Sequence, residues 1–162
     1  MPVLIVFAGP PCSGKTTLAA QLARRLRLPH LSMDATRRRI LPDAPHTRAD
    51  RQAAYRAMHF AAELLLAAGS GVILDAPDGH PEDRVEMEGI GFGRMKLIEC
   101  RVSLPAALRR FRERGPDPVR LDLTEDLVER LVREYPYTAA GLTLDTEALS
   151  ERECLARIAA FL

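Results

Sequence analysis

The sequence predicts an α/β protein in which about five parallel strands are covered by helices on both faces. One observation is that short apolar runs, typical of buried strands, alternate along the chain with longer helical patterns. The other is the segment Gly9-Pro-Pro-Cys-Ser-Gly-Lys-Thr-Thr17, which matches G-x-x-x-x-G-K-[ST] and directly follows the apolar run 3–8. Strand, glycine-rich turn and helix start occur in the order that a phosphate-binding loop requires. We therefore expect the three-layer fold of P-loop nucleoside triphosphate hydrolases.

Five segments have the composition of strands. They are short, mostly apolar and bounded by turn residues or by the starts of helical patterns. In chain order the predicted strands are Val3–Ala8, Pro29–Ser32, Val72–Asp75, Met95–Val102 and Gly141–Asp145. Because ligands of an open α/β sheet lie outside the carboxyl ends of its strands, the residues that end or follow these segments are candidates for a site.

Helical patterns fill the intervals between these strands. Leu18, Leu22 and Leu26 form one apolar stripe, and Thr47 and Gly69 have the residue types of a helix N-cap and C-terminus. Ser150-Glu-Arg-Glu153 has the pattern of a capping box before a terminal helix. The predicted helices span about 15–26, 48–68, 104–113 and 124–135, followed by the terminal one.

Length and charge favour a single domain covering residues 1–162. A chain of 162 residues can bury a core without disulfides, and its net charge of +1 indicates no global field for nucleic acid or membrane. The three cysteines are widely spaced and lack a C-x-x-C pattern, which favours a reducing compartment. The N-terminus has no secretory pattern, and no apolar run approaches about 20 residues. We expect a cytoplasmic protein with no membrane association and no obligate protein partner.

The phosphate loop predicts binding of ATP with Mg²⁺. Glycines at both ends of the loop let its N–H groups converge on phosphates at a helix N-terminus. Lys15, one of two lysines beside 21 arginines, is expected to reach the β- and γ-phosphates, and the Thr16 hydroxyl to bind Mg²⁺. For Cys12, redox control is the alternative to a packing role. The predicted nucleotide-binding residues are Gly9, Pro11, Cys12, Ser13, Gly14, Lys15, Thr16 and Thr17.

Several classes of phosphate-loop protein are excluded by the sequence. A guanine-specific GTPase needs Asn-Lys-x-Asp, and neither lysine follows an asparagine. The chain is too short for an AAA+ module with a helical lid domain, and it lacks the Ser-Gly-Gly signature of ABC-type ATPases. A small kinase remains, in which positioning and charge stabilisation supply most of the catalysis. A nucleotide-dependent regulatory module with slow hydrolysis is the alternative.

Asp34 is the candidate general base. It follows the second predicted strand and should therefore face the reaction centre beside the phosphate loop. A carboxylate there can accept the proton of an acceptor hydroxyl, which typically contributes about 10²–10⁴-fold to the rate. The alternative is that Asp34 caps a helix beginning at Ala35.

Asp75 is the candidate second Mg²⁺ ligand, with Thr16. It ends the apolar run Val72–Asp75, which we expect to be the strand adjacent to the phosphate loop. Apolar residues followed by Asp at a strand end are the pattern that holds Mg²⁺ in this class, often through water. The alternative is an ordinary turn residue of the loop 75–80.

Arg110 and Arg114 are the candidate residues that neutralise the transferring phosphate. They are four residues apart and share a helix face. Gly115 and two nearby prolines follow them, which predicts a lid segment near residues 109–120. Two arginines closing over a γ-phosphate would supply the charge that phosphoryl transfer needs. A solvated charge run is the alternative.

With these residues assembled, the chain resembles the kinase domain of phage-type polynucleotide kinases. More broadly, it resembles the AAA-type small P-loop kinases that include zeta toxins and adenylylsulfate kinases. The resemblance runs from Val3 to about Tyr135. It implies that Asp34 is the base on the acceptor hydroxyl, that Arg37 contacts an acceptor phosphate, and that the lid arginines hold the ATP phosphates. Its motifs are the loop 9–17, Asp34-x-x-Arg37, Asp75 with Pro81-Glu-x-x-Arg84 downstream, and Arg110-x-x-x-Arg114-Gly115.

The resemblance leaves the acceptor open. Segment 142–146 with the terminal helix resembles the ending of other small kinases, where it borders the adenine. Between Ala35 and Phe60, six arginines stand against two aspartates, which favours an acceptor that carries phosphate, including a nucleic-acid end. Helix-surface arginines would explain the same count. The acceptor is either a nucleic-acid 5′-hydroxyl or a small molecule such as an antibiotic, sugar or nucleoside. Its predicted contacts are Asp34, Arg37, Arg38 and Arg84.

Overall fold

The carboxyl ends of five parallel strands meet at one edge of the sheet. A computed structural model describes residues 2–43, 45–77, 81–91, 94–115, 120 and 122–162. Within them the strands are β1 (Leu4–Ala8), β2 (His30–Ser32), β3 (Val72–Asp75), β4 (Met95–Arg101) and β5 (Leu142–Asp145). The sheet has the order β2-β3-β1-β4-β5, and every pairing is parallel, as the sequence predicts.

Helices cover both faces of this sheet. Alternate residues of β1 point to opposite faces, as the pleat of a strand requires. Leu4 and Val6 pack with Tyr55 on one face, whereas Ile5 and Phe7 pack in a second core on the opposite face. In the described part of the chain the helices are α1 (Lys15–Leu26), α2 (Met33–Ile40), α3 (Arg48–Ala67), α4 (Pro81–Gly91), α5 (Leu104–Arg114), α6 (Glu125–Arg133) and α7 (Glu151–Phe161).

Helix α2 changes the interpretation of Asp34. The helix begins at Met33 with Ser32 as its N-cap residue, so Asp34 lies in the first turn and does not cap a helix starting at Ala35. That alternative is wrong. The sequence of α2 contains no apolar stripe, since only Met33 and Arg37 of its eight residues are buried.

Helix α4 was also absent from the sequence-based prediction. It begins at Pro81, and proline is a favoured first residue of a helix, but glycines at positions 89 and 91 weaken the helical pattern. The other predicted elements are present, with ends that differ by one or two residues. The capping boxes at Thr47 with Asp50 and at Ser150 with Glu153 are both formed.

Candidate active site

The phosphate loop turns tightly between β1 and α1. Gly9 has φ +153°, and a Cβ there would lie 2.7 Å from both the Cys100 carbonyl oxygen and Ser13 Oγ. Gly14 has φ +83° and forms the N-cap of α1. The backbone conformations at positions 9 and 14 therefore require glycine. The buried Ser13 Oγ has no hydrogen-bond partner among the described residues, as expected of a loop shaped to hold a ligand.

A cavity of about 630 Å³ opens beside this loop. Lys15 lies on its wall, with Nζ 3.5 Å from the Pro10 carbonyl oxygen. Asp34, Arg110 and Arg114 line the same cavity, although they come from α2 and α5. The structure thus brings all four predicted catalytic side chains together. The lining residues are Pro11, Cys12, Gly14, Lys15, Thr16, Thr17, His30, Ser32, Asp34, Ala35, Arg110, Arg114, Arg120 and Leu123.

Asp75 lies beneath the cavity at the end of β3. It is in register with Phe7 on β1, so β3 is the strand adjacent to the phosphate loop, as predicted. The residue is 2% exposed, and its Oδ1 has no hydrogen-bond partner among the described residues. Burial raises its pKa, while the Lys15 charge and a hydrogen bond with the Thr16 side chain act in the opposite direction. A buried carboxylate oxygen without a partner, next to a hydroxyl, fits a cation site.

His30 is the neighbour of Asp75 on β2. Its Nε2 lies 3.9 Å from Asp75 Oδ2, and burial lowers the pKa of the imidazole. The histidine is one of the cavity-lining residues that sequence analysis did not assign. Its place in the second predicted strand does not by itself indicate a function, because a lone histidine lacks the spacing that identifies a set of metal ligands.

Asp34 forms an ion pair with Arg120. The distance from Arg120 Nη1 to Asp34 Oδ2 is 3.5 Å, and both residues line the cavity. Arg120 also donates from Nε and Nη2 to the two carboxylate oxygens of Asp122, at 3.0 and 3.2 Å. Burial opposes the positive charge of Arg120, but the two carboxylates more than offset this effect and raise the pKa of the guanidinium.

Arg110 is hydrogen-bonded to the phosphate loop. Its Nη1 donates to the Cys12 carbonyl oxygen and to Thr146 Oγ1, each at 3.0 Å, and its Nη2 donates to the Thr146 carbonyl oxygen at 2.6 Å. The Thr146 hydroxyl in turn donates to the Ser13 carbonyl oxygen at 2.8 Å. Helix α5, the loop after β5 and the phosphate loop are therefore linked by hydrogen bonds.

A second cavity of about 220 Å³ lies on the other side of Arg110. Arg110 lines both cavities, whereas Arg114 lines only the first. The second cavity borders the β5–α7 connection, the segment that the resemblance places beside adenine. Its lining residues are Gly14, Thr17, Leu18, Arg110, Thr146, Leu149, Glu151 and Cys154.

Cys12 lies in the phosphate loop with φ +61°. Burial raises the pKa of its thiol, although Arg114, Lys15 and Arg110 act in the opposite direction. The net direction favours the neutral thiol and a packing role.

Three predicted acceptor contacts do not line the main cavity. Arg37 is 4% exposed within the fold, between α2 and α3. Arg38 is exposed on the outer side of α2, and Arg84 is half-buried on α4. These contacts stay predictions. The predicted lid near residues 109–120 lies partly outside the described residues, because residues 116–119 are not among them.

Residues 4–138 match the family model described as an AAA domain. The chain belongs to this AAA domain family. The match covers every candidate catalytic residue, and it agrees with the ATP-binding P-loop kinase fold that the sequence predicts. Within the described residues, no helix is long and apolar enough to cross a membrane.

Comparison with known proteins shows kinases among the similar chains. An adenylate kinase from Rhodopirellula baltica is 28% identical over 178 aligned positions, which cover 93% of this chain and 89% of that protein. A protein from Chloroflexus aurantiacus described as a kinase is 26% identical, with a TM-score of 0.77 over 99% of this chain and 98% of that one. These likenesses support a phosphotransferase of the same fold.

The resemblance to polynucleotide kinases also has a structural counterpart. A chain of the Pnkp1/Rnl/Hen1 RNA repair complex is 18% identical, with a TM-score of 0.68 over 83% of this chain and 44% of that one. At this identity the likeness shows the fold alone.

Proposed function

We propose that the protein is an ATP- and Mg²⁺-dependent kinase that transfers the γ-phosphate to a hydroxyl group of a small molecule. The observation that carries the proposal is that one cavity is lined by the phosphate-loop Lys15, the carboxylate of Asp34 and the guanidinium groups of Arg110 and Arg114. These are the groups that bind a triphosphate, neutralise a transferring phosphoryl and accept a hydroxyl proton.

The two cavities together suit ATP. The main cavity would hold the phosphates against the loop and the N-terminus of α1, where backbone N–H groups favour negative charge. The smaller cavity, whose lining includes Leu18 and Leu149, would hold the base. Arg110 separates the two cavities and lies where it contacts both halves of the nucleotide.

Thr16 and Asp75 would hold the Mg²⁺. Asp75 Oδ1, for which the described part of the chain provides no hydrogen-bond partner, and the adjacent Thr16 side chain offer the oxygen ligands that this ion prefers. When bound, Mg²⁺ neutralises charge that develops on the phosphate oxygens. Burial raises the pKa of the Asp75 carboxyl, and the positive charge of Lys15 acts against that rise.

Asp34 favours a hydroxyl acceptor over a phosphate acceptor. A carboxylate at the reaction centre repels an anionic acceptor oxygen, whereas it can receive the proton of an alcohol as the new bond forms. The adenylate kinase relative nevertheless makes AMP a necessary member of any acceptor panel.

The shape of the site favours a small acceptor. Arg120 and Leu123 line the cavity near Asp34, and Arg120 is only 8% exposed, so the acceptor side is walled. The exposed Arg38 lies outside that wall. A polynucleotide 5′-hydroxyl is the second candidate acceptor, since Arg38 and Arg39 form an exposed basic strip on α2 along which a strand could bind.

The test is transfer of labelled phosphate from ATP-Mg²⁺ to a panel of acceptors. The panel comprises a sugar, a nucleoside, an aminoglycoside, AMP and a 5′-hydroxyl oligonucleotide, with products identified by mass. We expect transfer to one of the small hydroxyl compounds. Transfer to the oligonucleotide would establish the second candidate, and transfer to AMP alone would remove the role of Asp34. A protein that binds ATP and transfers to nothing, but hydrolyses faster with a protein partner, would be a regulatory module.

Two aspartate variants make this test specific. Asp34→Asn should lower kcat by about 10²–10⁴-fold, because the proton acceptor is lost. Affinity for ATP should stay nearly unchanged. Asp126→Asn is the matched control. Asp126 lies in the first turn of α6, as Asp34 lies in the first turn of α2, but Asp126 is exposed whereas Asp34 is half-buried. It should transfer phosphate like the wild type.

A further inference from the structure

Arg120 is the buried cation of the acceptor side. It lies beyond the lid arginines in sequence, and its side chain returns into the cavity to reach Asp34 at 3.5 Å. Lys15, Arg110 and Arg114 also line the cavity, and the nucleotide site accounts for each of them. Phosphate binding by the loop and by α5 does not use Arg120, which is only 8% exposed and is paired with Asp122 and Asp34.

The surroundings of Arg120 hold its guanidinium in one orientation. The bidentate pairing with Asp122 uses Nε and Nη2, which leaves Nη1 directed at Asp34. Asp122 is itself held by His46, whose Nδ1 lies 3.0 Å from Asp122 Oδ1. Three segments thus converge on the guanidinium: the α2–α3 connection, the residues before α6, and the first turn of α2. Planar bidentate pairing of this kind restricts an arginine more than a single contact does.

The ion pair also gives the two carboxylate oxygens of Asp34 different roles. Arg120 engages Oδ2. An acceptor hydroxyl can then donate to Oδ1 while the carboxylate is kept from rotating. Misplacing a reacting group by about 1 Å can cost about 10²-fold in rate, so fixing this rotation has a measurable effect on catalysis.

We propose that Arg120 is a positioning residue that orients the Asp34 carboxylate for proton acceptance and walls the acceptor side of the cavity. The inference rests on the proposed kinase function. In the step that it serves, the acceptor hydroxyl oxygen forms a bond to the γ-phosphorus of ATP. The bond from that phosphorus to the β–γ bridging oxygen breaks, and its electron pair leaves with ADP. The hydroxyl proton passes to Asp34 Oδ1.

The test compares Arg120→Gln, Arg120→Lys and the matched control Arg112→Gln. Arg112 makes the same kind of bidentate pair, with Glu125 at 2.8 Å, but it is exposed on α5 and does not line the cavity. For each variant, kcat and KM are measured with ATP-Mg²⁺ and the panel compound that the wild type phosphorylates. ATP affinity is measured separately by calorimetry without acceptor.

Arg120→Gln should lower kcat by about 10- to 100-fold and leave ATP affinity within about twofold. Arg120→Lys should retain part of the kcat that Arg120→Gln loses, because lysine keeps the positive charge but cannot make the planar bidentate pair. Arg112→Gln should behave as the wild type. In an Asp34→Asn background, Arg120→Gln should change kcat by less than about twofold, since residues that act as a unit are not additive.

Three results would overturn the inference. One is full kcat in Arg120→Gln. Another is an equal loss of kcat with and without the Asp34 carboxylate. The third is loss of ATP binding and of thermal stability in both Arg120 variants, which would make the arginine purely structural. If the wild type itself shows no transfer that depends on Asp34, the proposed function fails and this inference fails with it; a kinase that needs Asp34 but not Arg120 refutes the inference alone.

Discussion

Arg110 and Thr146, which are 36 positions apart, make two hydrogen bonds: Arg110 Nη1 donates to the Thr146 hydroxyl at 3.0 Å, and Nη2 donates to its carbonyl oxygen at 2.6 Å. Because the Thr146 hydroxyl donates onward to the Ser13 carbonyl oxygen, Thr146 links helix α5 to the phosphate loop. A change in any one of these three elements should therefore alter the affinity for the nucleotide.

Removing the Thr146 hydroxyl should weaken nucleotide binding. Thr146→Val keeps the shape but loses the acceptor for Arg110 and the donor to Ser13. Two hydrogen bonds at about 0.5–1.5 kcal/mol each predict about a tenfold rise in the Kd for ATP. Calorimetry measures this, with Thr146→Ser as the matched control that keeps the hydroxyl. Equal affinity in the valine and serine variants would show that the link does not shape the loop.

Alanine should have opposite effects at two glycines. At Gly9 a Cβ would meet the Cys100 carbonyl oxygen at 2.7 Å in a backbone of φ +153°, so Gly9→Ala should distort the loop and lower ATP affinity at least about tenfold. At Gly89, within α4, a Cβ meets open space.

Gly89→Ala should therefore stabilise the protein by about 0.5–1 kcal/mol and leave ATP affinity unchanged. Urea unfolding and nucleotide titration of both variants check the contrast. Unimpaired ATP binding by Gly9→Ala would show that the loop does not need this conformation.

Glu99 supports the approach to β5. It is fully buried, and its carboxylate accepts from the Thr138 and Ala139 backbone N–H groups, both at 2.9 Å. Glu99→Gln places amide donors against these donors and should cost about 2–4 kcal/mol of unfolding free energy. Urea unfolding measures the loss. The exposed Glu113→Gln is the control and should change stability by less than about 0.5 kcal/mol, so equal effects of the two changes would refute the role of Glu99.

The terminal helix should be sensitive to acid through Glu153. The Ser150 hydroxyl and backbone N–H donate to its carboxylate, which lowers its pKa from the ordinary 4.5. A lowered pKa in the folded state means that the stabilisation is complete above about pH 4.5 and is lost as the pH falls through the lower folded value.

Glu153→Gln can still accept these hydrogen bonds but does not titrate. The difference in Tm between wild type and variant should therefore be largest near pH 7 and shrink toward pH 3. The exposed Glu147→Gln serves as control, and a gap in Tm that stays constant from pH 7 to pH 3 would contradict the assignment.

Much of the site could be predicted because its signals are local. Gly9 and Gly14 belong to one turn whose backbone geometry dictates residue type, and the predicted order of β1, this turn and a helix beginning at Lys15 is confirmed. Asp34 and Asp75 were found because a residue at a strand end must lie at the ligand edge of a parallel sheet, and β2 and β3 do end there. Helix α2 was not among the predicted helices, because its polar sequence has almost no buried stripe.

By itself, the sequence determined the five strands and five of the helices along the chain, the phosphate loop and the edge of the sheet where the site lies. These depend on hydrophobic period, glycine conformation and capping, which act over a few residues. Only the tertiary structure decided that Arg120 reaches Asp34, that Arg110 bonds to Thr146, and that Arg37 lies buried rather than in the cavity wall. A side chain's partner across the fold depends on how distant elements pack, and no local pattern of residues contains that information.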